Sequence, residues 1–273
     1  MLKVPDKDTQ LCISLAGRPG NFGTRFHNFL YGRLNLNYLY KAFTTHDLPA
    51  AIGGIRALGI RGCAVSMPFK EASIALVDEL DPSAAAIASI NTIVNDGGYL
   101  RAYNTDYLAI RQLLQRHGLD PAMPFALQGS GGMAKAVACA LRDAGFRRGT
   151  LVARNGQAGP ALAQRCGYHW QPTLGALRPA LLVNVTPLGM AGGPDADALA
   201  FEAAAVEAAD WVFDVVALPA RTPVVQLAER LGKPAITGLD VATLQALEQF
   251  VLYTGVRPAQ ALVEEAVAFA RAV

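Results

Sequence analysis

Residues 126–137 read Ala126-Leu127-Gln128-Gly129-Ser130-Gly131-Gly132-Met133-Ala134-Lys135-Ala136-Val137. A short apolar run that starts at Phe125 predicts a buried strand. The pattern G-x-G-x-x-A follows, with Gly129, Gly131 and Ala134 at its fixed positions. An Ala-rich amphipathic run then continues to Ala144 and stops at Gly145, a natural residue to end a helix. Strand, glycine turn and helix in that order are the context in which this pattern binds a dinucleotide. Gly129 permits the tight turn, Gly131 lets the backbone approach a pyrophosphate, and Ala134 lets helix and strand pack closely. The helix N-terminus then offers N–H groups and the positive end of its dipole to the phosphates.

The next strand is Thr150-Leu151-Val152-Ala153, followed by Arg154-Asn155. At this point Asp or Glu holds a ribose 2′-hydroxyl, whereas Arg accommodates a 2′-phosphate. Arg154 lies 25 residues after Gly129 (154 − 129), close to the ~20 expected of the ribose reader. No carboxylate stands from Leu151 to Gln157. The pattern favours NADP over NAD.

A chain of 273 residues suffices for one large domain or two medium ones of ~100–200 residues. Hydrophobic residues make up 52% and charged residues 17%, the profile of a soluble α/β enzyme. A net charge of +2 gives no case for a nucleic-acid surface. No run of ~18 uncharged apolar residues occurs, and Met1 to Asp6 lacks the apolar core of a secretion signal. The expectation is a cytoplasmic protein without a membrane segment. Cys12, Cys63, Cys139 and Cys166 form no C-x-x-C pair, and His27, His46, His117 and His169 are dispersed. No metal site is expected.

In chain order the pattern predicts strands at 9–15, 37–43 and 59–66, with helices at 25–34 and 48–58, the latter capped by Asp47. Helices are expected from Glu71 to Glu79 and from Ser83 to Ser89. A hairpin follows, Ile90 to Val94 and Tyr99 to Tyr103, turning at Asn95-Asp96-Gly97-Gly98. A helix at 107–117 and a linker at 118–124 lead to the glycine motif. Later strands are read at 180–185, 211–216 and 234–238, with a helix from Thr222-Pro223 to Leu231. Residues 241–272 read as helical with a break near 254–258. Alternating strands and helices argue for a mainly parallel sheet. The block before the glycine motif is large enough for a separate substrate domain.

Polar residues at strand ends are candidates for the ligand site: Asn21, Thr24, Ser66, Lys70, Asn91 and Asp106. Val65-Ser66-Met67-Pro68-Phe69-Lys70 places a hydroxyl at a strand end and an amine at a helix start, against the dipole.

On these residues the chain resembles the shikimate dehydrogenases, NADP-dependent enzymes of aromatic biosynthesis. The family's V-T-V/I-P-F/H-K segment is similar to Val65 to Lys70, with Ser66 in the Thr position. Its A-V/I-N-T segment is similar to Ser89 to Thr92, and its G-x-N-T-D segment to Ala102 to Asp106. Its G-A-G-G-A/S loop is similar to Gly129 to Met133, and its N-A-T-P/S-x-G-M strand end to Asn184 to Met190. Its late D-x-x-Y-x-P-x-x-T-P and G-x-x-M-L-x-x-Q segments are similar to Asp214 to Pro223 and Gly238 to Gln245.

The resemblance implies an α/β protein of two domains. An N-terminal α/β substrate domain, residues 1–106 completed by 240–273, is joined to a Rossmann-type NADP-binding domain, residues 107–239. It implies Lys70 and Asp106 as the catalytic pair and Thr24, Ser66, Asn91 and Gln245 as ligands of a ring acid. It adds Ser130, Gly132, Met133, Thr186, Val215 and Gly238 to Gly129, Gly131, Ala134 and Arg154 at the cofactor. The implied reaction interconverts 3-dehydroshikimate and shikimate, in a monomer or homodimer. Four departures stand out. The usual S-x-S before the first helix is replaced by Asn21-Phe22-Gly23-Thr24, the first Asn of N-V-T by Ala64, the late Tyr by Ala217, and the N-R-T after the second Rossmann strand by Ala153-Arg154-Asn155. They resemble the divergent shikimate dehydrogenase-like branch. Quinate or another hydroxylated ring acid is therefore an alternative substrate, and an NADP-binding regulator without turnover an alternative role.

Overall fold

The computed structural model describes residues 4–272. Two compact units are present. One runs to Thr105 and resumes at Thr243; the other is Asp106–Ala242.

The first unit begins with β1 (Gln10–Leu15), α1 (Phe22–Arg33), β2 (Tyr38–Phe43), α2 (Leu48–Ala57) and β3 (Gly62–Val65). A 3-10 turn at Ala72–Leu76, β4 (Glu79–Leu80), α3 (Pro82–Ala85), β5 (Thr92–Asp96) and β6 (Tyr99–Tyr103) follow. The sheet order is β2-β1-β3-β5-β6-β4. β1 pairs in parallel with β2 and β3, but β5 runs antiparallel to both β3 and β6. Asp47 caps α2 as expected, accepting from Ala50 N at 3.0 Å. Asn95 closes the β5–β6 hairpin by accepting from Gly98 N at 2.8 Å, and Gly97 and Gly98 take the positive φ that the turn needs.

The helix expected over Glu71 to Glu79 does not form. The 3-10 turn ends at Leu76 because Val77 is extended, and the Asp78 carboxylate accepts from Leu100 N at 2.7 Å, drawing the chain onto the sheet. The helix expected from Ser83 to Ser89 is one short turn, capped by Asp81 and ended before Ala88 at φ 51°.

The second unit contains α4 (Thr105–Arg116, beginning at its boundary), β7 (Phe125–Gln128), α5 (Gly132–Asp143), β8 (Gly149–Val152), α6 (Ala158–Cys166) and β9 (His169–Gln171). It continues with β10 (Leu181–Asn184), α7 (Ala203–Ala208), β11 (Trp211–Asp214), α8 (Pro223–Arg230) and β12 (Ala235–Thr237). The order is β12-β11-β10-β7-β8-β9, and every pairing is parallel. This is the doubly wound arrangement, with the strand order reversing between β7 and β10. β9, α6 and α7 lie outside the elements expected from sequence. Each is short, and neither N-cap residue, Gln157 of α6 or Glu202 of α7, bonds its helix through its side chain.

The chain returns to the first unit through α9 (Gly238–Thr254) and α10 (Gln260–Arg271). A Cβ on Gly62 would lie 2.2 Å from the Tyr253 ring, so α9 packs on β3 only because residue 62 has no side chain. α10 lies along α1, with the Arg25 guanidinium 4.3 Å above the Phe269 ring and donating to the Phe269 carbonyl at 2.7 Å.

Between these helices and the sheet, His27 is 0% exposed. It stacks on Tyr40 at 4.5 Å, meets Phe26 edge-on at 5.5 Å, and has Phe250, Tyr253 and Tyr31 around it. Neither ring nitrogen has a hydrogen-bond partner. Burial outweighs the opposing pull of Gln249 and lowers the imidazole to about 3.

The folded state therefore holds His27 neutral, while the unfolded chain takes up a proton below its ordinary value of 6.5. The stability tied to this group is complete above that pH and is lost as pH falls toward about 3. The slope is at most ~1.4 kcal/mol per pH unit. Denaturant melts at pH 7 and pH 5 should show the wild type losing up to ~2 kcal/mol more than His27→Phe. Equal losses in the two proteins would contradict a neutral, buried His27.

Candidate active site

The carboxyl ends of the strands carry the site residues in both units. In the second unit, Gly129 leaves β7 at φ 127° with its N–H bonded to the Val152 carbonyl at 2.9 Å. A Cβ there would lie 2.8 Å from the Val185 side chain and 3.1 Å from its carbonyl oxygen. Gly131 is the N-cap of α5 and supplies no side-chain bond to it. Neither Gly131 nor Gly132 has an atom within 4 Å of where a Cβ would stand. The start of α5 is thus uncrowded at these two positions, and a helix start of this kind receives a phosphate. Ala134 is fully buried beneath the turn, and Ser130 and Met133 are half-buried beside it.

A cleft of about 950 Å³ opens beside this turn, lined by Gln128, Gly129, Ser130, Arg154, Thr186 and Leu188 among others. Arg154 is exposed at its edge. The loop carrying it is held by Asn155, whose side-chain oxygen accepts from Gln157 N at 3.0 Å and Ala158 N at 2.9 Å. That bond also caps α6, a role the sequence pattern did not suggest.

A second group absent from the sequence expectations fixes the loops after β10 and β11. Asp214 is 0% exposed. Its carboxylate accepts from Asn184 Nδ2 at 2.9 Å, Val216 N at 3.1 Å and Thr222 Oγ1 at 2.5 Å. Asn184 in turn accepts from Thr186 N at 3.0 Å and Thr186 Oγ1 at 2.6 Å. Burial raises the Asp214 carboxyl, and these donors oppose that shift. One carboxylate therefore sets the position of Thr186 and of the Val215 backbone. Gly238 completes the wall, since a Cβ there would lie 2.3 Å from the Val215 carbonyl oxygen. The signal in the sequence was the position of Asn184 and Asp214 at strand ends, which hydropathy alone reads as strand continuation.

In the first unit the backbone ties Ser66, Lys70 and Asn91 together. Val65 N donates to the Asn91 carbonyl at 2.8 Å, Ile90 N to the Lys70 carbonyl at 3.2 Å, and Phe69 N to the Ser66 carbonyl at 2.9 Å. The loop after β1 joins them through Gly17 N and the Met67 carbonyl at 2.9 Å, and α1, which follows, carries Thr24. Asn91 is 2% exposed. Its side-chain oxygen accepts from Thr105 N at 2.8 Å, Thr92 Oγ1 at 2.8 Å and Thr105 Oγ1 at 3.1 Å. Its Nδ2 is buried and has no partner, and neither has Thr24 Oγ1.

Gln249, another residue missed by sequence, donates from α9 to the Asn91 carbonyl at 3.2 Å and Thr92 Oγ1 at 3.0 Å. Gln245 lies four residues earlier on that helix, so both share its face toward Asn91. Asp106 sits in the first turn of α4, where a carboxylate suits the dipole, and is buried. Among the described residues no three His, Cys, Asp or Glu side chains are placed to hold a metal ion. Among the described residues no helix is long and apolar enough to cross a membrane.

Residues 22–93 match the model of the shikimate dehydrogenase substrate binding domain. A shikimate dehydrogenase-like protein of Haemophilus influenzae is 54% identical over 97% of this chain and 98% of its own. The chain belongs to the shikimate dehydrogenase family. Among solved structures of that family, a shikimate 5-dehydrogenase-like protein superposes with a TM-score of 0.97 at 53% identity, covering 98% of this chain and 100% of its own. The shikimate 5-dehydrogenase of Thermus thermophilus, solved with NADP(H) and shikimate, gives a TM-score of 0.85 at 30% identity over 96% and 99% of the two chains. These likenesses span both units, so the α/β architecture with a parallel, dinucleotide-binding sheet is that of the family.

Replacing Asp214 by Ala takes the Asp214 acceptor from three buried donors. Each costs ~1–3 kcal/mol. Thermal or denaturant unfolding of Asp214→Ala should show a loss of at least ~3 kcal/mol, against ~0.5 kcal/mol or less for the exposed Asp210→Ala. A loss equal to that control would show that the carboxylate does not hold the loops.

Proposed function

We propose that this protein is an NADP-dependent oxidoreductase that interconverts the ketone and alcohol of a hydroxylated ring acid, with 3-dehydroshikimate and shikimate as its pair. The observation that carries this reading is Asn91. Its oxygen is used up by three donors of the protein, while its buried N–H₂ has none to serve. An unpaired buried donor costs ~1–3 kcal/mol, and an acceptor on a substrate such as a ring hydroxyl oxygen would remove that cost. The family membership and the NADP(H) and shikimate held by the Thermus relative support the same assignment.

In this reading the unit that ends at Thr105 and resumes at Thr243 binds the ring acid. Ser66, Asn91 and Gln245 donate to or accept from its hydroxyls, and Thr24 Oγ1 donates to its carboxylate. The Asp106–Ala242 unit binds the dinucleotide. The turn from Gly129 to Ala134 takes the pyrophosphate, Arg154 pairs with the 2′-phosphate, and Thr186, Val215 and Gly238 border the nicotinamide end. NADPH, when bound, supplies the hydride. Lys70 and Asp106 exchange the proton with the reacting oxygen. Lys70 is set by its backbone bond to Ile90, next to Asn91, so a proton-handling amine and a hydroxyl ligand are placed by one short stretch of chain.

The residues before and within the start of α1 favour a second reading for the substrate alone. Asn21-Phe22-Gly23-Thr24 stands where the family's S-x-S is expected, with a hydroxyl only at Thr24, and Ala217 stands where a Tyr is expected. Quinate or a related ring acid is that alternative. A steady-state panel of shikimate and quinate with NADP⁺ and with NAD⁺ tests both readings. The expected result is reduction of NADP⁺ by shikimate at the highest kcat/KM. Binding of NADP⁺ with no reduction by any ring acid would replace the enzyme by a cofactor-binding regulator.

Two substitutions probe the assignment further. Lys70→Ala should lower turnover ~10²–10⁴-fold while leaving NADP⁺ affinity near that of wild type. Retention of half the wild-type turnover at saturating substrate would remove Lys70 from the chemistry. Arg154→Ala should weaken NADP⁺ by roughly tenfold to a hundredfold, the value of ~1.5–3 kcal/mol for a charge-assisted bond, with little change for NAD⁺. Equal loss for both cofactors in a binding titration would make Arg154 a structural residue.

A further inference from the structure

The second unit brings two thiols together away from the residues assigned above. Cys139 lies within α5 and Cys166 is the last residue of α6. Both are reduced and buried, with their sulfurs 3.7 Å apart. A disulfide is ~2.05 Å long, so an approach of roughly 1.7 Å joins them. The two residues differ in freedom to make that move. Cys139 is held inside a helix of 12 residues with buried neighbours on both sides. Cys166 ends a helix of nine and is followed by Gly167 in the left-handed conformation. Arg165 and Gly167, which flank it, are exposed. The last turn of a short helix opens more readily than the core it covers, which gives a small solute a route to the pair.

We propose that Cys139 and Cys166 are a hydroperoxide-sensitive dithiol that closes to an intramolecular disulfide within the dinucleotide-binding unit. Cys139 is the attacking thiol. The Cys166 thiol facing it lowers its proton affinity, and the Arg142 and Arg165 charges act in the same direction, against burial and Asp143. Its thiolate attacks one peroxide oxygen. A sulfur–oxygen bond forms, the oxygen–oxygen bond breaks, and hydroxide leaves to take the proton that Cys139 gave up. The product is a sulfenic acid at Cys139. The Cys166 sulfur then attacks the Cys139 sulfur. The sulfur–sulfur bond forms, the sulfur–oxygen bond breaks, and the Cys166 proton leaves with the oxygen as water. The two thiols have lost two electrons and two protons, and one peroxide has become two waters.

The first unit supplies an internal comparison. Burial raises the Cys12 thiol to about 12 and raises Cys63 as well. Neither is an attacking thiol on chemical grounds.

The experiment treats the native full chain with hydrogen peroxide, blocks remaining thiols by alkylation in denaturant, and maps the peptides by mass. The thiol titre should fall from the four cysteines of the sequence to two. One cross-linked peptide should join Cys139 to Cys166, and dithiothreitol should restore the full titre. In Cys166→Ser the reaction should stop at a sulfenic acid on Cys139, trapped by dimedone; in Cys139→Ser, Cys166 should stay unmodified. A titre that stays at four, a cross-link through Cys12 or Cys63, or over-oxidation of Cys139 without a cross-link would each overturn the proposal. The wild-type map decides this even if a variant fails to fold.

Discussion

At the carboxyl end of β7 the backbone of Gly129 passes too close to Val185 for any side chain to fit. From β7 the chain builds outward through β8 on one side, and from β10 through β11 on the other, so the crevice at the carboxyl ends of β7 and β10 is where a ligand can reach backbone. A side chain at 129 would push β7 from β10, and β10 carries Asn184. Asn184 is bonded to Asp214, and Asp214 to Thr222 at the cap of α8. The loops after three strands are therefore positioned relative to one another by one steric limit and one buried carboxylate. The network contributes less to total stability than the apolar core around Leu182, Phe201 and Val212. What it fixes is geometry, because each hydrogen bond accepts only a narrow range of positions.

The first unit uses the same economy with neutral groups. Asn91 has one amide to offer, and the protein occupies its oxygen completely. The orientation of the amide is then decided, and its N–H₂ points where the protein itself has no acceptor. Thr92, Thr105 and Gln249 matter because they hold that orientation from three separate segments of chain. This is preorganisation: the donor is in place before any ligand arrives, and no side-chain entropy remains to be lost there on binding.

Much of this was legible in the sequence, for reasons that differ by residue. The turn from Gly129 to Ala134 was legible because its small residues stand at fixed spacing between an apolar run and a helix pattern. Asp47 was legible because a cap lies within three residues of what it bonds. The stretch from Glu71 to Glu79 was misread because its conformation is decided at a distance: Asp78 is claimed by Leu100 N, on a strand formed later in the chain. α6 escaped notice because Asn155, which bonds its first N–H, stands in an Asn-Gly turn pattern, and Gly159-Pro160 interrupts the helix pattern behind it. The partners of Asp214 and Asn91 come from up to 158 residues away, and no local pattern announces such pairs. Residues that would touch a ligand were thus easier to find than residues that hold them still.

The glycine at position 62 has a consequence for the order in which the molecule is made. Its missing side chain leaves a hole in the face of β3 that the Tyr253 ring fills, and Tyr253 is translated after the whole Asp106–Ala242 unit. During synthesis the N-terminal sheet therefore waits with an open apolar face while a complete second unit emerges behind it. Closing it is a long-range event, with the loop-closure cost of a segment the length of a domain. The dinucleotide-binding unit is consequently able to fold on the ribosome first, and the substrate-binding unit last, although its sequence comes out ahead.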